Sequence, residues 1–265
     1  MLFSILQYYF EGEKELFKGL RVTEMETEWK RYPVMKFDIS ACKNKPDMAG
    51  DVRSLELNIA RYEKPYGRNE NEISPDNRLA GVIERAHEQT DMPVVVIDEY
   101  DSVLLEYLDK PDQLEEVRRI LQEFYQTLKI CDSHIRFAFV TGITKFSQLS
   151  IFSTINNLRN ISMEPKYGAL CGFTEEEIRT VFDPDVERLA TQYNCTKDEM
   201  YAMLKQKYDG YHFWKNTVNV FNPFSLTNAF TALDLGDYWF SSGTPSYLFP
   251  QMKRFNTNVL SLSQL

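Results

Sequence analysis

Between Val94 and Ile97 four aliphatic residues run without a break, and Asp98, Glu99 and Asp101 follow at once. A short unbroken apolar run reads as a strand buried on both faces. Acids at the carboxyl end of such a strand stand where open α/β sheets place their ligands. Two further segments carry the same texture. "YPVMKFDIS" predicts a strand over 34–39, after a proline suited to a strand start and ending on Asp38 and Ser40, and "HIRFAFVTGITKF" predicts a strand ending in Thr141 and Gly142. Between them the apolar positions recur at helical spacing. Helices are expected over 51–66 and 77–89, parted by the Pro-, Gly- and Asn-rich loop "EKPYGRNENEISPDN", and over 113–129, where Leu114, Val117, Ile120, Leu121, Phe124 and Leu128 share one face. Before the first strand, residues 2–20 predict a helix interrupted near Gly12.

Strand, helix and strand at this spacing argue for an α/β fold built on a mostly parallel sheet with crossover helices. After Gly172 the pattern changes. "FTEEEIRTVF" and "CTKDEMYAMLKQKYDGY" each place a threonine three residues before a glutamate at a helix start, Thr174 with Glu177 and Thr196 with Glu199; the second helix stops at Gly210. The remainder is aromatic and turn-rich. The expected organisation is an α/β core over 1–172 followed by a helical or winged-helix-like region over 173–265.

Composition narrows the function classes. The 265 residues are 43% hydrophobic, enough for a substantial core, and the 30 basic and 39 acidic residues give a formal charge of −9. No global positive field is available to hold nucleic acid, which leaves only a local basic groove for that role. The four cysteines are scattered, with no CxxC pair, and are expected as reduced thiols in a cytoplasmic protein rather than as a zinc site. The apolar start lacks a basic leader and a cleavage site, and no run approaches the roughly 18 to 20 apolar residues of a membrane span. The three histidines, far apart in sequence, are expected to do ordinary structural work, and the Glu164-Pro165-Lys166 triplet only imitates a nuclease fragment.

The chemistry gathers at the strand ends. An acidic pair after a buried strand is what a nucleotide-hydrolysing site needs: Asp98 to hold Mg²⁺ through water, and Glu99 to polarise the attacking water. A parallel sheet brings neighbouring strand ends together, so Thr141 is expected beside them, with its hydroxyl near that water or the γ-phosphate; Lys145 would add positive charge near phosphate. The plainer alternative is that the acids cap the next helix and are solvated. The phosphate-cradling pattern GxxxxGK[ST] occurs nowhere in the sequence.

The blocks "YYFEGEKELFKGL", "WKRYPVMKFDIS", "VVVIDEYDSVLLEYL", "IRFAFVTGITKFSQLSIFSTINNLRNIS", "YGALCGFTEEEI", "YDGYHFWKNTVNVFNPFSLTNAF" and "YWFSSGTPSYL" resemble, in order and spacing, the predicted AAA-ATPase-like proteins. The resemblance implies a P-loop NTPase core of AAA type followed by a helical lid or winged helix, with ATP and Mg²⁺ as cofactors. It matches Asp98, Glu99 and Asp101 to the Walker B element, with Asp101 among the cofactor-binding residues, and Thr141 to the sensor strand. Relatives carry a strand and a "RPRRFGKS"-like loop before the helix that starts here at Met1, and many carry a PD-(D/E)XK nuclease-like domain; neither is expected among these residues. Two functions are therefore open: an ATPase impaired for lack of a phosphate loop, or a nucleotide-free interaction module with vestigial acids. An exposed sheet edge in place of the absent strand would favour self-association or a protein partner.

Overall fold

Alternation along three short strands decides which way the sheet faces. In a computed structural model, which describes residues 2–143, 151, 155–210 and 218–238, β1 (Val34–Asp38), β2 (Val94–Asp98) and β3 (Phe137–Val140) pair in parallel in the order β1-β2-β3. Met35, Phe37, Val95 and Ile97 point to one face, and Val94 and Val96 to the other. The whole Val94–Ile97 run is fully buried, as its unbroken apolar character predicts.

Helices cover both faces. Helix α1 (Leu2–Phe10) brings Phe3 against Val94 and Val96, and the chain turns after it at Gly12, with φ +75°. The short α2 (Val22–Met25) comes next. The opposite face takes Leu55 and Ile59 of α3 (Met48–Tyr66), Leu79, Val82 and Ile83 of α4 (Pro75–Gln89), and Leu121, Phe124 and Leu128 of α6 (Pro111–Ile130). Helices α3 and α4 carry the chain from β1 to β2, and α6, with the five-residue α5 (Ser102–Glu106), from β2 to β3. Parallel pairing demands such crossovers. Within this unit α4 is tied to α3 by Arg78, which is 5% exposed and donates to both oxygens of Glu63 at 2.7 and 2.8 Å.

The chain divides into Met1–Arg159 and Asn160–Leu265, twelve residues or so before the boundary expected at 172. A Cβ on Gly172 would fall 2.4 Å from the Val220 side chain, and Phe173 exchanges backbone hydrogen bonds with Phe221, so this segment belongs with the helices on its carboxyl side. The second unit holds α7 (Glu175–Val181), α8 (Asp183–Gln192), α9 (Lys197–Tyr208) and α10 (Pro223–Ala232) around Ile178, Leu189, Met200, Leu204, Leu226 and Phe230. Both capping boxes form: Thr174 with Glu177, and Thr196 with Glu199.

One expectation needs correcting. His87 and His134, remote in sequence, lie with ring centroids 5.4 Å apart, because the end of α4 and the turn before β3 meet at the same edge of the unit. His212, Lys145 and the aromatic segment "YWFSSGTPSYL" beyond Tyr238 lie outside the described residues. Among the described residues no helix is long and apolar enough to cross a membrane.

Candidate functional site

The register of the parallel sheet creates the site. Asp38 pairs with Asp98 at the carboxyl ends of β1 and β2, and the residue directly after β3 is Thr141. The ladder runs on past the strands: Thr141 N–H donates to the Ile97 carbonyl and Tyr100 N–H to the Thr141 carbonyl, both at 2.9 Å. These bonds hold the Thr141 hydroxyl where it donates to Asp98 Oδ1 at 2.6 Å. An O–H to carboxylate bond of this length is of the strong, charge-assisted kind. The same oxygen accepts the Glu99 N–H at 3.1 Å.

Glu99 turns the chain sharply away from β2. Its φ of +49° lies in the left-handed region, a costly conformation for a residue with a side chain, of the kind that collects at functional sites. Its carbonyl accepts the Ser102 N–H at 2.9 Å, closing the turn that leads into α5. The Glu99 side chain is 41% exposed and reaches Lys43 Nζ at 3.8 Å. An ion pair so open to solvent orients more than it stabilises.

Asp101 is placed differently from its two neighbours. It is fully buried, and both of its carboxylate oxygens accept the Ile143 N–H, at 3.2 and 3.1 Å. It pins the loop after β3 to the loop after β2, and so fixes the strand end that carries Thr141. Tyr125, fully buried on α6, donates its hydroxyl to the Tyr100 carbonyl at 2.7 Å and braces the same turn from beneath.

The structure thus brings Asp98, Glu99 and Thr141 together, sets Asp101 behind them, and adds two residues to the site that sequence reasoning did not include. Asp38 is exposed beside Asp98, its Oδ1 accepting the N–H and hydroxyl of Ser40 at 3.0 and 2.6 Å. Its signal was present, since β1, like β2, ends on an acid. Lys43 gave no local signal, because its meeting with Glu99 is made by tertiary register alone.

The donors here are hard oxygens: two carboxylates on adjacent strands and a hydroxyl. Among the described residues no group of three His, Cys, Asp or Glu side chains is arranged to hold a metal ion. A site with one or two carboxylates suits Mg²⁺, which keeps several waters and takes further oxygens from a phosphate, and does not suit zinc. What the arrangement can do chemically is hold a hydrated cation at Asp98, orient that carboxylate through Thr141, and offer Glu99 as a base at the open edge.

Comparison with known proteins identifies the family. A curated relative from Azotobacter chroococcum mcd 1, "Uncharacterized protein in vnfD 5'region", is 33% identical over 251 residues, which are 94% of this chain and 46% of the relative. The chain therefore spans about half the length of the curated relative it matches. No solved structure matches the chain. The family model described as Predicted AAA-ATPase matches residues 1–152, more than half of the sequence and all three strands of the sheet, so the chain belongs to the predicted AAA-ATPase family.

Proposed function

We propose that the chain is the core of an AAA-type, P-loop-like nucleoside triphosphatase, in which Asp98 and Glu99 form a Walker B pair and Thr141 acts as the sensor. The observation that carries this reading is the 2.6 Å bond from Thr141 to Asp98, made between adjacent parallel strand ends with Glu99 thrust outward beside it. Asp98 would hold the hydrated magnesium ion, with Asp38 near enough by register to bind one of its waters. The bound ion supplies charge neutralisation at the phosphate oxygens. Glu99 orients and polarises the attacking water, and its swing away from Lys43 frees the carboxylate for that task. Thr141, by its hydrogen bond, keeps Asp98 in one rotamer and reports the state of the phosphate to β3. Asp101 acts as a structural brace rather than as a direct ligand. Lys145 remains a proposed phosphate contact on the strength of the sequence.

The 265 residues contain no GxxxxGK[ST] segment, and backbone N–H groups from such a loop carry most phosphate affinity in this architecture. The outer edge of β3 adjoins Thr141 and has no strand partner among the described residues, so a strand carrying a phosphate loop would pair there. The chain by itself binds Mg-ATP weakly and turns over none; the second unit is the helical lid that hydrolysis would move in the complete machine. The absence of the loop also favours a second reading, an interaction module whose acids no longer act.

Thermal unfolding with and without millimolar Mg-ATP separates the two. Under the first reading Mg-ATP raises the midpoint and Asp98→Ala abolishes the rise, since a ligand bound only by the folded state stabilises it by mass action. A flat response in the parent chain sinks it and leaves the interaction module. Phosphate release that Glu99→Gln eliminates would refute the claim that the chain alone is inactive.

A further inference from the structure

At the opposite, amino end of the sheet lies a cavity of about 140 Å³ that the nucleotide reading does not use. It opens beside Arg136, the residue immediately before β3, whose N–H donates to the Pro93 carbonyl at 2.9 Å. A strand of this length separates it from the acids by roughly 13 Å or more. Its walls are aromatic. Trp29, Tyr9, Phe10 and Tyr32 come one after another edge to face, with centroid separations of 5.7, 5.0 and 6.1 Å.

The wall is held at a cost. Trp29 has φ +47°, an outlier for so bulky a residue. Its surroundings enforce that conformation. Its indole N–H donates to the Glu26 carbonyl at 3.0 Å, Tyr32 N–H donates to the Phe10 carbonyl at 2.8 Å, and Gly12 packs so closely that a Cβ there would lie 2.8 Å from the Trp29 carbonyl oxygen. Strain kept in place by so many contacts is a mark of a site whose shape matters.

Four charged side chains complete the lining, and two are already engaged. Glu26 accepts the Tyr9 hydroxyl at 2.8 Å and the Glu28 N–H at 2.9 Å, while Lys30 pairs with Asp91 at 2.6 Å. The other two are exposed and make no ion-pair contact among the described residues. Arg136 lies 5.7 Å from the Tyr32 centroid and pairs with no carboxylate among the described residues, and the Glu28 carboxylate has no hydrogen-bond or ion-pair partner among them. One exposed charge of each sign, without an ion pair among the described residues, thus lines a space shared by four aromatic and four charged side chains.

That combination selects a ligand class. A plain anion would meet Glu26 and Glu28, and a plain cation would meet Lys30 and Arg136. A neutral ring would cover both free charges without compensating either. A small molecule bearing both signs satisfies all of it: a carboxylate on the Arg136 fork, and an ammonium near Glu28 and Trp29, away from the Tyr32 ring that Lys30 and Arg136 already face. The volume limits its size, since a cavity of about 150 Å³ accommodates a molecule the size of benzene. We propose that this cavity is a binding site for a small zwitterion, a free α-amino acid or its N-methylated betaine.

Isothermal titration of the full chain with glycine, L-proline, L-leucine and glycine betaine, and with acetate and tetramethylammonium as single-charge controls, tests it. The expected result is that at least one zwitterion saturates in the millimolar range while neither control does. Preference for betaine over the amino acids assigns the N-methylated class, and the reverse order the free amino acids. Affinity should fall at least about tenfold in Arg136→Gln and in Glu28→Gln, because each leaves one ligand charge unpaired. Both side chains stand at the surface, and unchanged thermal midpoints confirm that the variants fold. Binding of either control as tight as that of the best zwitterion, no saturation by any of the four, or unaltered binding in both variants would overturn the proposal.

Discussion

Gly142 is the residue on which the position of Thr141 depends. A Cβ there would lie 2.3 Å from the Tyr100 ring and 2.7 Å from Asp101 Oδ1, and both neighbours are buried and fixed, Tyr100 by its backbone bonds and Asp101 by the Ile143 N–H. Neither can retreat cheaply, so a single methyl group must push the two loops apart. Gly142→Ala should therefore destabilise the first unit by about 2 kcal/mol, the usual scale for overpacking a close-packed site. Urea denaturation followed at the sheet unit would check this; a loss below about 0.5 kcal/mol, the range of ordinary surface changes, would mean that the loops are free to move. The sequence shows a glycine after the threonine but not what stands over it. Asp98, Glu99 and Thr141 were legible because each comes just after a strand that the apolar run predicts. Asp101 looked equivalent to them, and only its burial and its bond to Ile143 set it apart.

At the scale of elements, the periodic segments could be read and the contacts between them could not. The starts of α7 and α9 come from local chemistry, a threonine and a glutamate three apart. Helix α8 was missed because it opens on Asp183-Pro184, which reads as a turn although proline suits the first turn of a helix. The ends of the loop "EKPYGRNENEISPDN" were legible: α3 stops at Tyr66, the expected residue, and α4 starts at Pro75, two residues before the expected start. What closes the gap is an ion pair with no sequence signature. Glu72 in the loop binds Arg85 on α4, one of its oxygens at 2.9 Å from Nη2, and Arg85 also donates to the Gly67 carbonyl at 3.0 Å. The Arg85 hydrogen bonds hold the Glu72 carboxyl below its ordinary value of 4.5. A carboxyl depressed in the folded state contributes stability that is fully present above its unfolded value and is lost as pH falls through the folded one. Glu72→Gln should thus be less stable than the parent chain at pH 7, by on the order of 1 kcal/mol, and the two should converge as pH drops below 4.5. Denaturation curves that stay parallel down to pH 3 would show that the pair does not anchor the loop.

Each of the two units has a main core of its own among the described residues, and the cysteines report on them separately. Cys42 and Cys131 lie in the first unit, 2% and 0% exposed, and burial pushes each thiol up to about 11. Cys42 also accepts the Asn58 side-chain amide at 3.3 Å beneath the loop that carries Lys43 toward Glu99. In the second unit Cys171 is exposed and Cys195 half-buried. Reactivity needs both access and thiolate, and at pH 8 a thiol with a value near 11 is ionised to only about one part in a thousand. The two buried thiols are disfavoured on both counts, so their labelling measures opening of the sheet unit and nothing else. With an alkylating reagent in native buffer and peptide mass spectrometry as readout, Cys171 should label first and Cys195 later. Cys42 and Cys131 should label together, at the rate at which the first unit opens. Gly142→Ala should hasten the modification of Cys42 and Cys131 without altering Cys171, since the strain it introduces acts on the first core. Prompt labelling of Cys42 in the parent protein would mean that the floor of the Lys43 loop opens on its own, and that the strand ends bearing Asp38 and Asp98 are held less firmly than their register implies.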